Sequence, residues 1–499
     1  MIQENEIKKT VARNQDLYLL ACSVLLGVLF DILFFKKSLG LSYLLFVLAF
    51  YAAFLGLLHH KIAFKLTFGW FLTIPILALS STYFIFSNLF FGTLNFLLLP
   101  VLIVGQTLLI TRENKYKWFD VRFLDDIVNG IFTRTFCHIN KLFALNLGSL
   151  NPTKSDKKQE VVKKILIGLL ISLPLLLVII LLLASADLVF SHYFEQIINW
   201  FKNLNLGDFI AQVLLFFIIT LLSFSYLWSF LKSKKTIQDE SSVIRLESKT
   251  MLDPVITITV LSLVNFVYLI FILIQFAFMF TSKNTLPPNI TYAQYARKGF
   301  FELLTVTLIN FTILLIGITF KPKDSKATDK VMKILHSLLV VFTMVILVSA
   351  YKRMSIYEAA FGFTYLRVLT HSFMMVLFVL FLVALYKIWV DRISLLKSYI
   401  VVSLIAYMVI NFINIDSLIT ARNIERYHTT GDLDTHYLTK LSYDSIPALV
   451  DLYIGNELSN NIKLYLEDAQ DELSKKQDWP SFNLSKLRAK RALSRLNNK

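Results

Sequence analysis

The chain has 499 residues, 56% of them hydrophobic, with a mean hydropathy of +0.63 and a formal net charge of +16. That composition excludes an ordinary soluble globular protein, and two cysteines are too few for a disulfide framework. The positive charge sits beside apolar runs, where it fixes topology and meets anionic headgroups. It therefore points to a bilayer surface and not to nucleic acid, for which the chain carries no motif.

About eleven apolar stretches follow one another, near 17–35, 39–58, 66–86, 89–111, 164–184, 209–231, 254–280, 300–320, 331–350, 367–390 and 398–414. A helix of about 20 residues at 1.5 Å rise spans a hydrocarbon core of roughly 30 Å. None of these runs shows the alternation of a barrel strand. The predicted fold class is all-α: a polytopic transmembrane helix bundle with amphipathic interfacial helices and a small C-terminal helical cap. Lys and Arg are roughly threefold more numerous in the loops on the side of the N-terminus, which places that side in the cytoplasm. An odd number of spans then leaves the C-terminal region outside. The expected location is the bacterial cytoplasmic (inner) membrane.

Residues 1–111 read as an N-terminal four-helix membrane part. Its first span is too long for a cleaved signal and lacks an A-x-A site. Asp31 lies near the end of that span, within reach of outer water. Residues 112–163 read as a cytoplasmic amphipathic segment and linker. Phe119, Phe123, Ile127 and Ile131 recur at helical spacing, and Phe132, Phe136, Ile139 and Phe143 continue the apolar side. This segment suits the inner leaflet, with its anionic lipids, or the bundle; the functional alternative is docking of an unknown protein partner. Cys137-His138 has no second ligand pair nearby, so no metal is expected.

Residues 164–414 form the main membrane bundle of about seven spans. Residues 192–206 read as a second interfacial helix. Asn265, Gln275 and Asn310 suit interhelical hydrogen bonds. At an offset of 164, Leu183, Ser185, Ala186, Ser191 and Tyr193 match Leu347, Ser349, Ala350, Ser355 and Tyr357, which suggests a parallel repeat. Residues 415–499 form the C-terminal extramembrane region, with helices near 416–427, 444–454, 457–476 and 481–496. Asp416 and Asp444 are the expected N-caps, and Pro447 falls in a first turn. With few large apolar residues for a core of its own, this region is expected to lean on the bundle.

Ionisable groups beside spans are expensive and hence functional candidates. The predicted topology gathers Asp187, Arg297, Glu302, Arg353, Glu358, Arg367 and His371 at the outer boundary. Such a group suits a zwitterion or lipid headgroup, and equally an ion-pair network that pins loops. Arg367 and His371 are four apart and share a helix face.

Several boundary stretches carry a resemblance. LLASADLVF (182–190), YAQYARKGFFEL (292–303), SAYKRMSIYEAAFGFTYLR (349–367), IDSLITARNIERY (415–427), DLDTHYLTKLSYDSIPALV (432–450) and DWPSFNLSKLRAKRAL (478–493) resemble an uncharacterised family of bacterial polytopic membrane proteins, a domain of unknown function. Asn414-Ile415-Asp416 departs from that family's Asn-Pro-Asp. The resemblance implies an inner-membrane protein and supplies no activity, cofactor or substrate.

Envelope transport or lipid-linked handling through an outward-facing polar pocket leads the functional expectations. Against a transporter with broken helices stand the 15 Gly and 10 Pro, well below average usage. A membrane sensor or scaffold acting through partners comes second. A membrane enzyme comes third: no H-E-x-x-H or G-x-S-x-G occurs, and no catalytic residue, metal ligand or cofactor is assigned.

Overall fold

The computed structural model of the protein describes residues 2–144 except 63 and 66, 206–232, 253–280, 292–319, 325–455 except 391, and 460–496, with single positions at 183, 187 and 190. Among these residues every regular element is a helix, and ten helices are long and apolar enough to cross a membrane. They match ten of the eleven predicted spans. The remaining one, 164–184, lies outside the described residues, as do the interfacial helix expected at 192–206 and half of the suggested repeat. This is an integral, multi-pass membrane protein.

The first helices are α1 (Ile2–Phe34), α2 (Leu41–Leu58), the short α3 (Phe68–Phe71), α4 (Thr73–Ile85) and α5 (Leu89–Thr111). Asn88 caps α5 by accepting a hydrogen bond from the amide of Phe91 at 2.9 Å, and Arg112 closes it in the left-handed conformation. Next come α6 (Phe123–Ile131), α7 (Thr133–Phe136), α8 (Ile139–Ala144) and α9 (Leu206–Leu231). Leu19, Leu26, Phe54, Leu108, Phe224 and Phe230 interlock α1, α2, α5 and α9 in one core.

The second half of the bundle holds α10 (Pro254–Phe280), α11 (Tyr292–Thr319), α12 (Lys326–Phe361), α13 (Tyr365–Trp389) and α14 (Leu395–Phe412). Its polar groups cross-link helices as expected. Asn265 donates to the carbonyl of Leu335 at 2.9 Å, Ser349 to Gln275 at 3.2 Å, and Asn310 links Tyr268 to Thr343 at 2.6 and 2.9 Å. Asn95, fully buried, joins the two halves. It accepts from Tyr407 at 2.7 Å and donates to Asn411 at 2.8 Å and Thr82 at 3.1 Å, so α4, α5 and α14 are bound through one amide. In a slab without water such a bond has no competitor.

The bundle has two distinguishable ends. Asp16 pairs with Lys232 at 2.8 Å, and Lys397 lies 4.3 Å over the ring of Phe119, at the end that holds the start of the first span. At the opposite end Lys36 pairs with Asp208, and the amide of Leu41 donates to Phe482 of the C-terminal region at 3.1 Å.

The amphipathic segment after α5 departs from expectation. Phe123, Ile127 and Ile131 do face the bundle. The helix then breaks into three short pieces, which turns Phe132 and Phe136 away from that face. They join Leu124 and Val128 as exposed residues, so the apolar side that packs on the bundle is not continued by Phe132 and Phe136.

The tail folds into a cap of α15 (Ile415–Thr430), α16 (Thr435–Leu438), α17 (Ile446–Ile454), α18 (Asn460–Ser474) and α19 (Leu484–Leu493). Ile419, Leu438, Ile446, Leu449, Val450, Ile462, Leu466 and Leu493 converge on a core that Phe91 of α5 completes. The cap thus leans on the bundle as expected: its modest side chains share a core with Phe91, and Tyr365, Val368, Leu369 and Ile410 of the bundle pack against it. The expected caps are corrected. Asn414 caps α15 and Ser442 begins the turn before α17, while Asp416 and Asp444 lie one or two residues further in and point elsewhere. Pro447 sits in the first turn of α17, where its missing N–H leaves no bond unmade.

Candidate functional site at the cap junction

The loop between α4 and α5 is short and polar, Ser87-Asn88, and the cap closes over it. Asn483 donates to the carbonyls of Tyr83 and Phe86 at 2.9 and 2.7 Å. Two buried carboxylates, Asp416 and Asp444, then meet the same loop. Asp416 accepts from Asn88 at 2.9 Å, from Ser442 at 2.6 Å and from the Tyr365 hydroxyl, which itself accepts from Asn88. Asp444 accepts from the amide and hydroxyl of Ser87 at 2.9 and 3.0 Å and from Asn414 at 3.0 Å. Ser442 lies within 3.2 Å of Asp444 as well, yet its hydroxyl has one hydrogen to give. Burial raises the Asp416 pKa above the ordinary carboxylate value, the Ser442 and Tyr365 hydrogen bonds oppose that, and the neighbouring Asp444 charge adds to it.

Beside this network opens a cleft of about 750 Å³ between α5, the start of α13 and the cap. One wall is apolar, with Leu89, Phe90 and Leu94 of α5. The other carries Asp416, Lys440, Tyr443, Tyr465, Asp468 and Glu472. Asp468 and Glu472 are exposed one turn apart on α18, and Glu472 stands near the Tyr443 hydroxyl. Burial, then that carboxylate, push the Tyr443 hydroxyl up from its ordinary pKa. An acidic, hydroxyl-bearing wall facing an apolar one suits a molecule with a cationic or zwitterionic polar end and a greasy body.

None of the seven predicted site residues lines this cleft. Three of them meet at the neighbouring α12–α13 turn. Glu358, 3% exposed, approaches His371 at 3.5 Å, and His371 stacks on Tyr351 with ring centres 4.2 Å apart. Arg367 lies 4.5 Å over Tyr357 and donates to the carbonyls of Phe361, at 3.0 Å, and Gly362. Arg353 is half-buried on α12, and Glu302 is exposed on α11. The side chain of Arg297 and the surroundings of Asp187 lie outside the described residues.

The cap clamps this turn from above. Asn423 donates to the carbonyl of Phe363 at 2.9 Å and accepts from its amide at 2.8 Å, copying a backbone pairing. Arg426 reaches the carbonyls of Ala359 and Ala360 at 3.3 and 3.1 Å. Gly362 has φ +80°, and a Cβ there would stand 2.5 Å from the Asn423 oxygen, so only glycine fits. Among the described residues no group of His, Cys, Asp or Glu is arranged to hold a metal ion.

Residues 73–452 match the family described as a domain of unknown function, DUF4153. The chain belongs to that family. The match covers most of the membrane bundle and the first part of the cap, including Asn88, Tyr365, Asp416 and Asp444. No curated protein and no solved structure matches the chain.

The cleft was not legible in the sequence. Its walls come from α5 and α18, with lining residues more than 350 positions apart, and Tyr465, Asp468 and Glu472 carry no local pattern that singles them out. The available signal was the polar Ser87-Asn88 break between two spans, matched by Asn414 and Asp416 after the last one.

Proposed function

We propose that this integral membrane protein handles an amphiphile at the outer boundary of the bacterial inner membrane, in envelope transport or lipid-linked chemistry. The cleft between α5 and the cap would take its polar end. One observation carries this reading: a cavity of about 750 Å³ with an apolar wall on a membrane helix and an acidic wall on the cap. The excess of Lys and Arg in loops at the opposite end supports an outward position for the cleft. The exposed pair Asp468 and Glu472 favours a headgroup bearing an amine, because Asp416 is already engaged by its own donors. Glu358, Arg367 and His371, which do not line the cleft, are proposed as a second polar contact of the same ligand.

The test uses the purified full chain in detergent, offered phosphatidylethanolamine or phosphatidylglycerol, with retention read by native mass spectrometry. Wild type is expected to keep the amine-bearing lipid. A D468N/E472Q variant is expected to lose about tenfold in retention, on the order of one charged contact. L94W, which fills the apolar wall, is expected to lose it as well. Equal retention by all three proteins would sink the proposal.

A further inference from the structure

At the opposite end of the bundle, α11, α12 and α13 diverge around a cavity of about 130 Å³. Its lining is Gly317, Ile318, Met332, Lys333, His336, Lys387 and Ile388. Three basic side chains from two helices therefore converge on one space, and among the described residues no carboxylate lines it. Lys333 makes an (i, i+4) ion pair with Asp329 at 3.5 Å, which lies outside the lining.

His336 is held by geometry. Its Nδ1 lies 2.8 Å from the carbonyl of Met332, an acceptor only, so Nδ1 carries the hydrogen. Nε2 then points toward Gly317, where a Cβ would come within 2.1 Å of it. Glycine at 317 leaves room for the imidazole. Trp389 stands close by and donates to Ser337 at 3.0 Å, at the level where indoles mark the headgroup region.

We infer that this cavity is a binding site for a phosphate group, with Lys333 and Lys387 as its cations and the His336 ring as part of its wall. A cavity of about 130 Å³ seats a single phosphate group and leaves the rest of the molecule that carries it outside. Basic pockets between membrane helices near the surface take lipid phosphates by the same chemistry. The phosphate comes from an anionic lipid whose chains lie along α13 or from free phosphate in water. This site is independent of the cleft at the cap, which favours an amine.

The experiment offers the purified full chain phosphatidylglycerol, phosphatidylcholine or inorganic phosphate, and reads bound species by native mass spectrometry. Phosphatidylglycerol retained in preference to phosphatidylcholine identifies a lipid source; inorganic phosphate bound alone identifies a free one. In either case a K333Q/K387Q variant is expected to lose about tenfold in binding, while K352Q, exposed near the cap end, keeps it. Should the double variant fail to fold, each single variant is expected to lose roughly threefold. No preference for either anion over phosphatidylcholine, or wild-type binding in the lysine variants, overturns the inference.

Discussion

Asp416 and Glu358 stand at the same end of the bundle, each almost fully buried, and their surroundings differ in one respect. Asp416 receives hydrogen bonds from Asn88, Tyr365 and Ser442, which spend its acceptor capacity inside the protein. Glu358 approaches His371 at 3.5 Å and lies in the field of Arg367, yet its Oε1, like Nε2 of His371, has no hydrogen-bond partner among the described residues. A satisfied buried carboxylate rigidifies a junction; a half-satisfied one stores cost that structure alone does not require. The contrast assigns cap attachment to Asp416 and leaves Glu358 with acceptor capacity unspent.

The strongest way to break that contrast is Asp416→Ala. Three donors lose their acceptor at once, and the expected loss is about 3 kcal/mol. It should appear as a lower melting temperature and as protease cleavage within 415–496. Wild-type resistance would remove Asp416 from the role of anchor. The next effect concerns the clamped turn. Gly362→Ala meets both a positive φ and the Asn423 oxygen, and Asn423→Ala deletes two bonds to Phe363; each is expected to cost about 1–2 kcal/mol. Hydrogen exchange at 361–365 should rise in both variants.

Glu358→Gln sharpens the comparison from the other side. It is expected to change stability by less than about 1 kcal/mol, because few partners are lost. A fall in membrane abundance as large as that of Asp416→Ala would make the two carboxylates equivalent. The smallest effect is the pH dependence. The Asp416 pKa is raised in the folded state, so the folded state holds that proton more tightly than the unfolded chain does. The associated stability is fully present below the unfolded value of about 3.9 and is lost as pH rises through the folded value. Asp416→Asn should flatten this descent in a series of melting curves, whatever its mean stability.

The spans were readable because hydrocarbon imposes length and hydropathy on each one separately, and Asn265, Gln275 and Asn310 were readable because a buried amide in a span needs a partner helix. The cap's helices were readable from spacing alone. Its attachment was not. Asn414 outcompetes Asp416 for the capping position because its side chain lies one step before the helix, and that freed Asp416 to turn toward Asn88 and Tyr365. Of the seven boundary residues, spacing put Arg367 and His371 on one face, while the approach of Glu358 to His371 depended on how α12 and α13 fold back.

By itself the sequence determined what local physics controls: a helical, multi-pass membrane protein, its turns, and which polar residues had to find partners. Only the tertiary structure decided which partners those were. Ser87, Asn88 and Phe91 meet a cap more than 300 residues away because the bundle returns its last span beside α4 and α5, and no local pattern encodes that return. The cleft exists only where those two distant surfaces face each other.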